Sequence, residues 1–361
     1  MPSGFFGFLC TLCRWAFAVK IVISPIMNIN PILSDIRNRS FQPVYLLQGE
    51  ESYFIDSIAD MLESTVLTDA QKGFDQSIFY GKDIEMSAVV NAAKRYPMMS
   101  EYQLIIVKEA QELKWKADTE EILTKYLEHL TPTTILVFCY KHGKFDKRKK
   151  IYKLFEKAGL VVDAAKLYDD KVAPWIGGYL KDAGWRIHPQ AAALIADYLG
   201  NDLAKVSNEL DKLMLNVAKG QEISIDDVER NIGISKDFNV FELNTALAKR
   251  NALRAYQIVD YFVANPKNNP LVLVIGQVAT YFTKILKYHY LVDKSAAAKE
   301  LGVHPFFLKE YELAARNYNR RKTFDVLNVL KETDLKSKGV NVPSNFNSEE
   351  VLKEMVYRIL N

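Results

Sequence analysis

The sequence predicts an α/β fold followed by an all-α one, on three observations. Short β-rich apolar runs at VYLLQ (44–48), QLIIVKEA (103–110), TILVFCY (134–140) and LVVDAA (160–165) are separated by amphipathic helical segments. That βα alternation is the pattern of a mainly parallel sheet covered on both faces. After Lys166 no convincing strand is found; VAPWIGGYLKDAG, PQAAALIADYLG, NDLAKVSNELDKLMLNVA and SIDDVERNI carry helical spacing and predict a small bundle. Past Ile234 the helical segments lengthen, among them FELNTALAKRNALRAYQIVDYFVA, NPLVLVIGQVATYFTKILKYHYLV and FDVLNVLKETDLKSKG, predicting a third, all-helical domain. The domain boundaries expected are therefore 27–165, 166–234 and 235–361, a division that 361 residues allow.

Residues 1–26, MPSGFFGFLCTLCRWAFAVKIVISPI, differ in kind from the rest. Arg14 and Lys20 interrupt the apolar run and Pro25 ends it, so it falls short of a membrane span, which needs about 20 apolar residues. It also lacks the basic start of a signal peptide. The segment is expected to be an extension from a start codon assigned too early, with a poor signal peptide as the runner-up.

The first strand runs into VYLLQGEESYFIDS (44–57), strand then Gly49 then helix, which is the outline of a phosphate-binding loop. The motif G-x-x-x-x-G-K-[ST] needs a second glycine, a lysine for the phosphates and a hydroxyl for magnesium. Counted from Gly49, those places hold Phe54, Ile55 and Asp56. Glu50 and Glu51 are themselves anions at a helix N-terminus and would repel a triphosphate; their simpler role is to cap the helix. A second ATPase element, the magnesium-holding carboxylate after four apolar residues, is met after QLIIV by Lys108 and Glu109. The loop has the shape without the phosphate chemistry, so no cofactor is expected.

Other catalytic signals are missing too. His129, His142, His188, His289 and His304 are scattered without metal-ligand spacing. There is no G-x-S-x-G, H-E-x-x-H or glycine-rich dinucleotide fingerprint. Three cysteines make no disulfide framework, and Cys10 with Cys13 lacks a second pair for zinc, which suits a reducing cytoplasm. Composition is that of an ordinary soluble protein, 49% apolar and 25% charged, and the net charge of +3 names no partner. Residues 235–361 hold roughly 19 Lys/Arg against 13 Asp/Glu, an excess that hints at nucleic acid and fits a solvated helical surface at least as well.

Three segments carry more information. In YPMMSEYQLIIV, Pro97 is expected to end a helix near Tyr96, leaving Met98 and Met99 in the connection before the strand, pointing to solvent. A tucked-in loop is the ordinary account of such a pair, while methionine is also suited to plugging an irregular pocket. KFDKRKKIYKLF clusters Lys144, Lys147, Arg148, Lys149 and Lys150 ahead of an apolar helical face, a solvated face before it is a DNA or subunit contact. LGNDLAKVSNELDKL spaces Leu199, Leu203, Val206, Leu210 and Leu213 as core, with Gly200, Asn201 and Asp202 as helix stop and new N-cap.

These phrases, with YLLQGEESYFID, YPMMSEYQLIIVKEAQ and ETDLKSKG and the order of parts, closely resemble the delta subunits of the bacterial DNA polymerase III clamp loader over about residues 40–361. The resemblance implies a degenerate AAA+ (RecA-like) domain over 27–165, a small helical lid over 166–234 and a C-terminal helical collar over 235–361 through which subunits oligomerise. It implies a subunit of the polymerase holoenzyme that binds and opens the sliding clamp for loading onto primed DNA without hydrolysing ATP. Partners implied are the clamp, the other AAA+ loader subunits and primed DNA, with no membrane. Family members carry a hydrophobic pair, commonly Leu-Phe, that inserts into the clamp; Met98 and Met99 match it in position and depart from it in type. Lys144, Lys147, Arg148 and Lys149 are candidate DNA or subunit contacts. Two other readings stand beside this one: an active AAA+ ATPase, which would need an intact phosphate loop, and a helical scaffold or nucleic-acid-binding protein unrelated to clamps.

Overall fold

A computed structural model describes residues 29–235, 237–340 and 348–361. The expectations for residues 1–26, including Cys10 and Cys13, lie outside them. The chain forms two compact units that divide between Leu167 and Tyr168.

The first unit opens with α1 (Asn30–Arg37), β1 (Val44–Gly49), α2 (Ser52–Thr65), α3 (Asp69–Asp75), β2 (Gln76–Tyr80) and α4 (Met86–Ala93). It continues with β3 (Gln103–Lys108), α5 (Ala117–Glu128), β4 (Thr134–Lys141), α6 (Lys150–Ala158) and β5 (Leu160–Ala164). The five strands form one parallel sheet in the order β2-β3-β4-β1-β5, with Leu46 opposite both Phe138 and Val161, and Ile105 opposite Leu136. The three inner strands are buried almost throughout, because helices cover both faces. Alternation along each strand sorts the side chains. Val44, Leu46, Ile105, Val107, Leu136 and Phe138 join a core with α4, α5 and α6, while α2 packs on β1, β4 and β5.

Two details depart from the sequence reading. β2 carries no sequence signal, because QSIFY is a half-exposed edge strand that follows α3 without a turn and holds no continuous apolar run. β3 stops at Lys108 rather than reaching residue 110, since Glu109 adopts a left-handed conformation (φ 52°) and Ala110–Glu112 form a 3-10 turn.

The second unit begins with α7 (Asp169–Asp182), β6 (Arg186–Ile187), α8 (Pro189–Leu199), α9 (Leu203–Asn216), β7 (Glu222–Ile223) and α10 (Ile225–Ile232). The expectation of no strand after Lys166 is corrected by β6 and β7, a parallel pair of two residues each. So short a ladder, with Ile187 paired to Ile223, gives no periodicity to read. Gly200 ends α8 with φ 71°, and the Asp202 carboxylate accepts the Lys205 backbone N–H at 3.1 Å to cap α9. Leu199, Leu203, Val206, Leu210 and Leu213 are all buried, as their spacing predicts.

The remaining helices are α11 (Val240–Ala248), α12 (Ala252–Ala264), α13 (Leu271–Tyr290), α14 (Ala297–Leu301), α15 (Leu308–Asn317), α16 (Arg320–Ser337) and α17 (Ser348–Leu360). They share one apolar core running from Leu243 to Leu360. α13 is long and apolar enough to cross a membrane by length and composition; here Val274, Ile275, Val278, Tyr281, Phe282, Ile285 and Tyr288 form a stripe at helical spacing inside that core. The segment 240–264 is broken at Arg250 (φ 54°), and Asn251 caps the second helix by accepting from the Arg254 N–H at 3.1 Å.

Candidate functional site

The loop after β1 is occupied by the protein's own side chains. Gly49 is required by packing: at φ 140° it lies so close to the end of β5 that a Cβ would stand 2.0 Å from the Ala164 carbonyl oxygen. The Glu51 N–H donates to that same oxygen at 3.1 Å, tying the loop to β5. Glu51 is the N-cap of α2, its carboxylate accepting from the Tyr53 N–H at 3.3 Å. Phe54 and Ile55, where a phosphate loop needs glycine and lysine, are buried in the core. Asp56 forms an ion pair with Lys141 at 2.9 Å, and Glu109 stands 3.4 Å from the same ammonium. Burial works against the Lys141 charge, but the hydrogen bond and charge of Asp56, with those of Glu109, outweigh it and raise its pKa. Lys108 lies 3.9 Å from Glu63. The cations near this loop are thus engaged with carboxylates of α2 and the β3 turn.

The connection from α4 to β3 is built differently. α4 ends at Ala93, three residues before the expected end near Tyr96, and the carbonyl of that last residue is taken by side chains from other elements. The Ala93 oxygen accepts from Thr134 Oγ1 at 2.9 Å and Tyr126 Oη at 3.2 Å, and Gln103 Nε2 donates to the carbonyls of Ala93 and Arg95. From there the chain runs outward, and Met98 and Met99 are 78% and 57% exposed. Tyr96, at 72%, and Phe74 on α3, at 60%, are exposed too.

The loop is nevertheless held. Asp75, 4% exposed at the end of α3, accepts the Met98 N–H at 2.5 Å on one carboxylate oxygen, and the Met99 N–H at 2.8 Å and the Ser100 hydroxyl at 2.6 Å on the other. Burial would raise the Asp75 pKa, but the bond from Ser100 and those from the backbone N–H groups of Met98, Met99 and Ser100 prevail and lower it. One turn earlier on α3, Gln71 Nε2 donates to the Met99 carbonyl at 3.3 Å. Met98 and Met99 stand out in the sequence, whereas Asp75, Gln71 and Gln103 do not. Their partners are many residues away, and no local pattern joins them. The one available hint is that Gln71 and Asp75 stand four apart, on one face of a short helix.

The basic cluster is largely neutralised. Lys147 pairs with Asp163 at 2.8 Å, Arg148 with Asp146 at 2.9 Å, Lys149 with Glu120 at 2.6 Å and Lys150 with Glu128 at 3.3 Å, while Lys144 is exposed. The Arg148 guanidinium pulls the Asp146 carboxyl down to about 2. The Lys147 tie continues inward, since Asp163 also accepts from Gln48 Nε2 at 2.5 Å, and buried Gln48 accepts the Phe145 N–H at 2.8 Å. Three histidines have local structural roles: His188 and His304 accept backbone N–H groups at helix starts, and His289 bonds the Tyr318 carbonyl at 2.8 Å. Among the described residues no three His, Cys, Asp or Glu are grouped to hold a metal. Burial pushes the Cys139 thiol up to about 12.

A parallel five-stranded α/β domain in which buried Phe54 and Ile55 follow the first strand's glycine loop, continued by a mostly helical unit, defines the class of protein. The family models for the DNA polymerase III delta subunit and for its C-terminal domain match residues 45–165 and 237–355, together about two thirds of the chain. The chain belongs to the DNA polymerase III delta-subunit family. It is 24% identical over 288 residues to the DNA polymerase III subunit delta of Bacillus subtilis, covering 77% of this chain and 82% of that one. To the probable delta subunit of Aquifex aeolicus it is 21% identical over 278 residues, 74% of this chain and 77% of the relative. The solved structure of the Bacillus subtilis DNA clamp loader delta protein shares the fold, with a TM-score of 0.54 at 22% identity over 92% of this chain and 99% of that one.

Proposed function

We propose that this chain is the clamp-binding and clamp-opening subunit of a bacterial clamp loader, that it works in the cytoplasm, and that it does so without hydrolysing ATP. The observation that carries the reading is a pair of exposed methionines on a loop tied down at its backbone. An apolar side chain left in water is a cost that a partner's pocket can relieve. Burying each methionine contributes roughly 1.5–3 kcal/mol. Family membership supports the rest of the proposal, in which other AAA+ subunits meet the helical collar, residues 235–361, and primed DNA is held within the assembly. Lys144, Lys147, Arg148 and Lys149 remain candidate DNA or subunit contacts, and all but Lys144 would have to exchange a carboxylate partner to serve.

The test is the double variant Met98→Ala with Met99→Ala. Affinity for the sliding clamp should fall on the order of a hundredfold or more while the melting temperature stays within a degree or so, since neither side chain contributes to the core. Retained affinity would remove the pair from the clamp contact.

A further inference from the structure

Of everything around the methionine loop, α3 is the element that fixes its shape. It ends on a buried carboxylate whose two oxygens accept all three bonds described above, from two consecutive backbone N–H groups and the next hydroxyl. A loop tip that is open to water on its side-chain face would ordinarily exchange among conformers. This one has its amides fixed from beneath, so both side chains are presented together. The single Ser100 hydroxyl proton is shared between Asp75 and the Tyr102 carbonyl, 2.7 Å away, which continues the support into the start of β3. Gln71 adds a fourth tie from the same face of α3, and it is itself fixed, its Oε1 accepting the Thr68 N–H at 3.0 Å and the Thr68 hydroxyl at 2.9 Å.

We infer that Asp75 is a positioning residue for clamp binding: it holds the 98–100 backbone in the binding-competent shape before the partner arrives. This rests on the reading of Met98 and Met99 as the clamp contact. Asp75 does not itself need to touch the clamp. Its effect is on the fraction of molecules whose loop is ready, and apparent affinity scales with that fraction.

The consequence is kinetic and separates positioning from contact. Asp75→Asn leaves only one oxygen to accept what two accepted, and places an amide NH2, itself a donor, against a backbone N–H. The competent fraction, and with it the association rate for the sliding clamp, should drop about tenfold, with the dissociation rate little changed. Met98→Ala with Met99→Ala should instead act mainly by raising the dissociation rate. Ser100→Ala keeps the carboxylate and its two backbone bonds, and should lower the association rate by a smaller factor; it carries the same test should Asp75→Asn lower the melting temperature. In amide exchange of the free full-length chain, Met98 and Met99 should be protected, and Asp75→Asn should release them. If the methionine variant loses affinity while neither Asp75→Asn nor Ser100→Ala changes the association rate, the positioning role is wrong and the contact stands. If the methionine variant binds the clamp normally, the contact reading fails and the inference fails with it.

Discussion

Gly49 shows how one residue can mimic a functional signature for a structural reason. Its left-handed backbone and the Ala164 carbonyl against its α-carbon exclude a side chain, with no phosphate in the argument. Gly49→Ala should therefore cost about 2–4 kcal/mol, from backbone strain and overpacking together, and lower the melting temperature by several degrees. An unchanged melting temperature would mean that β1 and β5 can part without penalty. Asp75 behaves in the opposite way, contributing through a charge that its surroundings favour. With its pKa lowered in the folded state, that contribution is complete above the unfolded value of about 4 and is lost as the pH falls from there through the lower folded value.

At the scale of elements, the sequence is legible wherever a pattern is local and repeated. The inner strands are continuous apolar runs because both sheet faces are covered, and α9 is readable from its leucine spacing and from the Gly200 and Asp202 signals at its start. A cap such as Asp202 contributes only about 1 kcal/mol, yet it marks the boundary correctly because the bond spans three residues. Legibility ends where long-range bonds decide. Pro97 points to a helix end near Tyr96, whereas α4 stops at Ala93, whose carbonyl is claimed by Gln103, Thr134 and Tyr126 from β3, β4 and α5. β2 is invisible for a related reason: an edge strand paired on one side needs no apolar run, and only its partner β3 defines it. The candidate site divides along the same line. Its exposed pair is readable from composition and position, while the carboxylate that holds the pair is readable only once α3 and the loop are brought together.

For the whole molecule, the helices from α11 to α17 share one buried core from Leu243 to Leu360, with Phe238 and Val240 packed against it, inside the compact unit that begins at Tyr168. In the proposed function this region, most of which matches the family's C-terminal domain, is the collar through which loader subunits meet. A chain lacking residues 235–361 is expected to bind the sliding clamp and to fail to co-purify with the other loader subunits; its entry into the assembly would place the subunit contacts elsewhere. In the first unit Phe54 and Ile55 are buried and Asp56 pairs with Lys141 after the Gly49 loop, while Met98 and Met99 are exposed. The most direct measurement is calorimetric titration of the full chain with the sliding clamp, with and without magnesium ATP, beside a titration with magnesium ATP alone. The expected result is clamp binding of the same affinity in both conditions and no heat from nucleotide at micromolar concentrations. Clamp binding that requires ATP, or micromolar nucleotide binding by the chain itself, would contradict it.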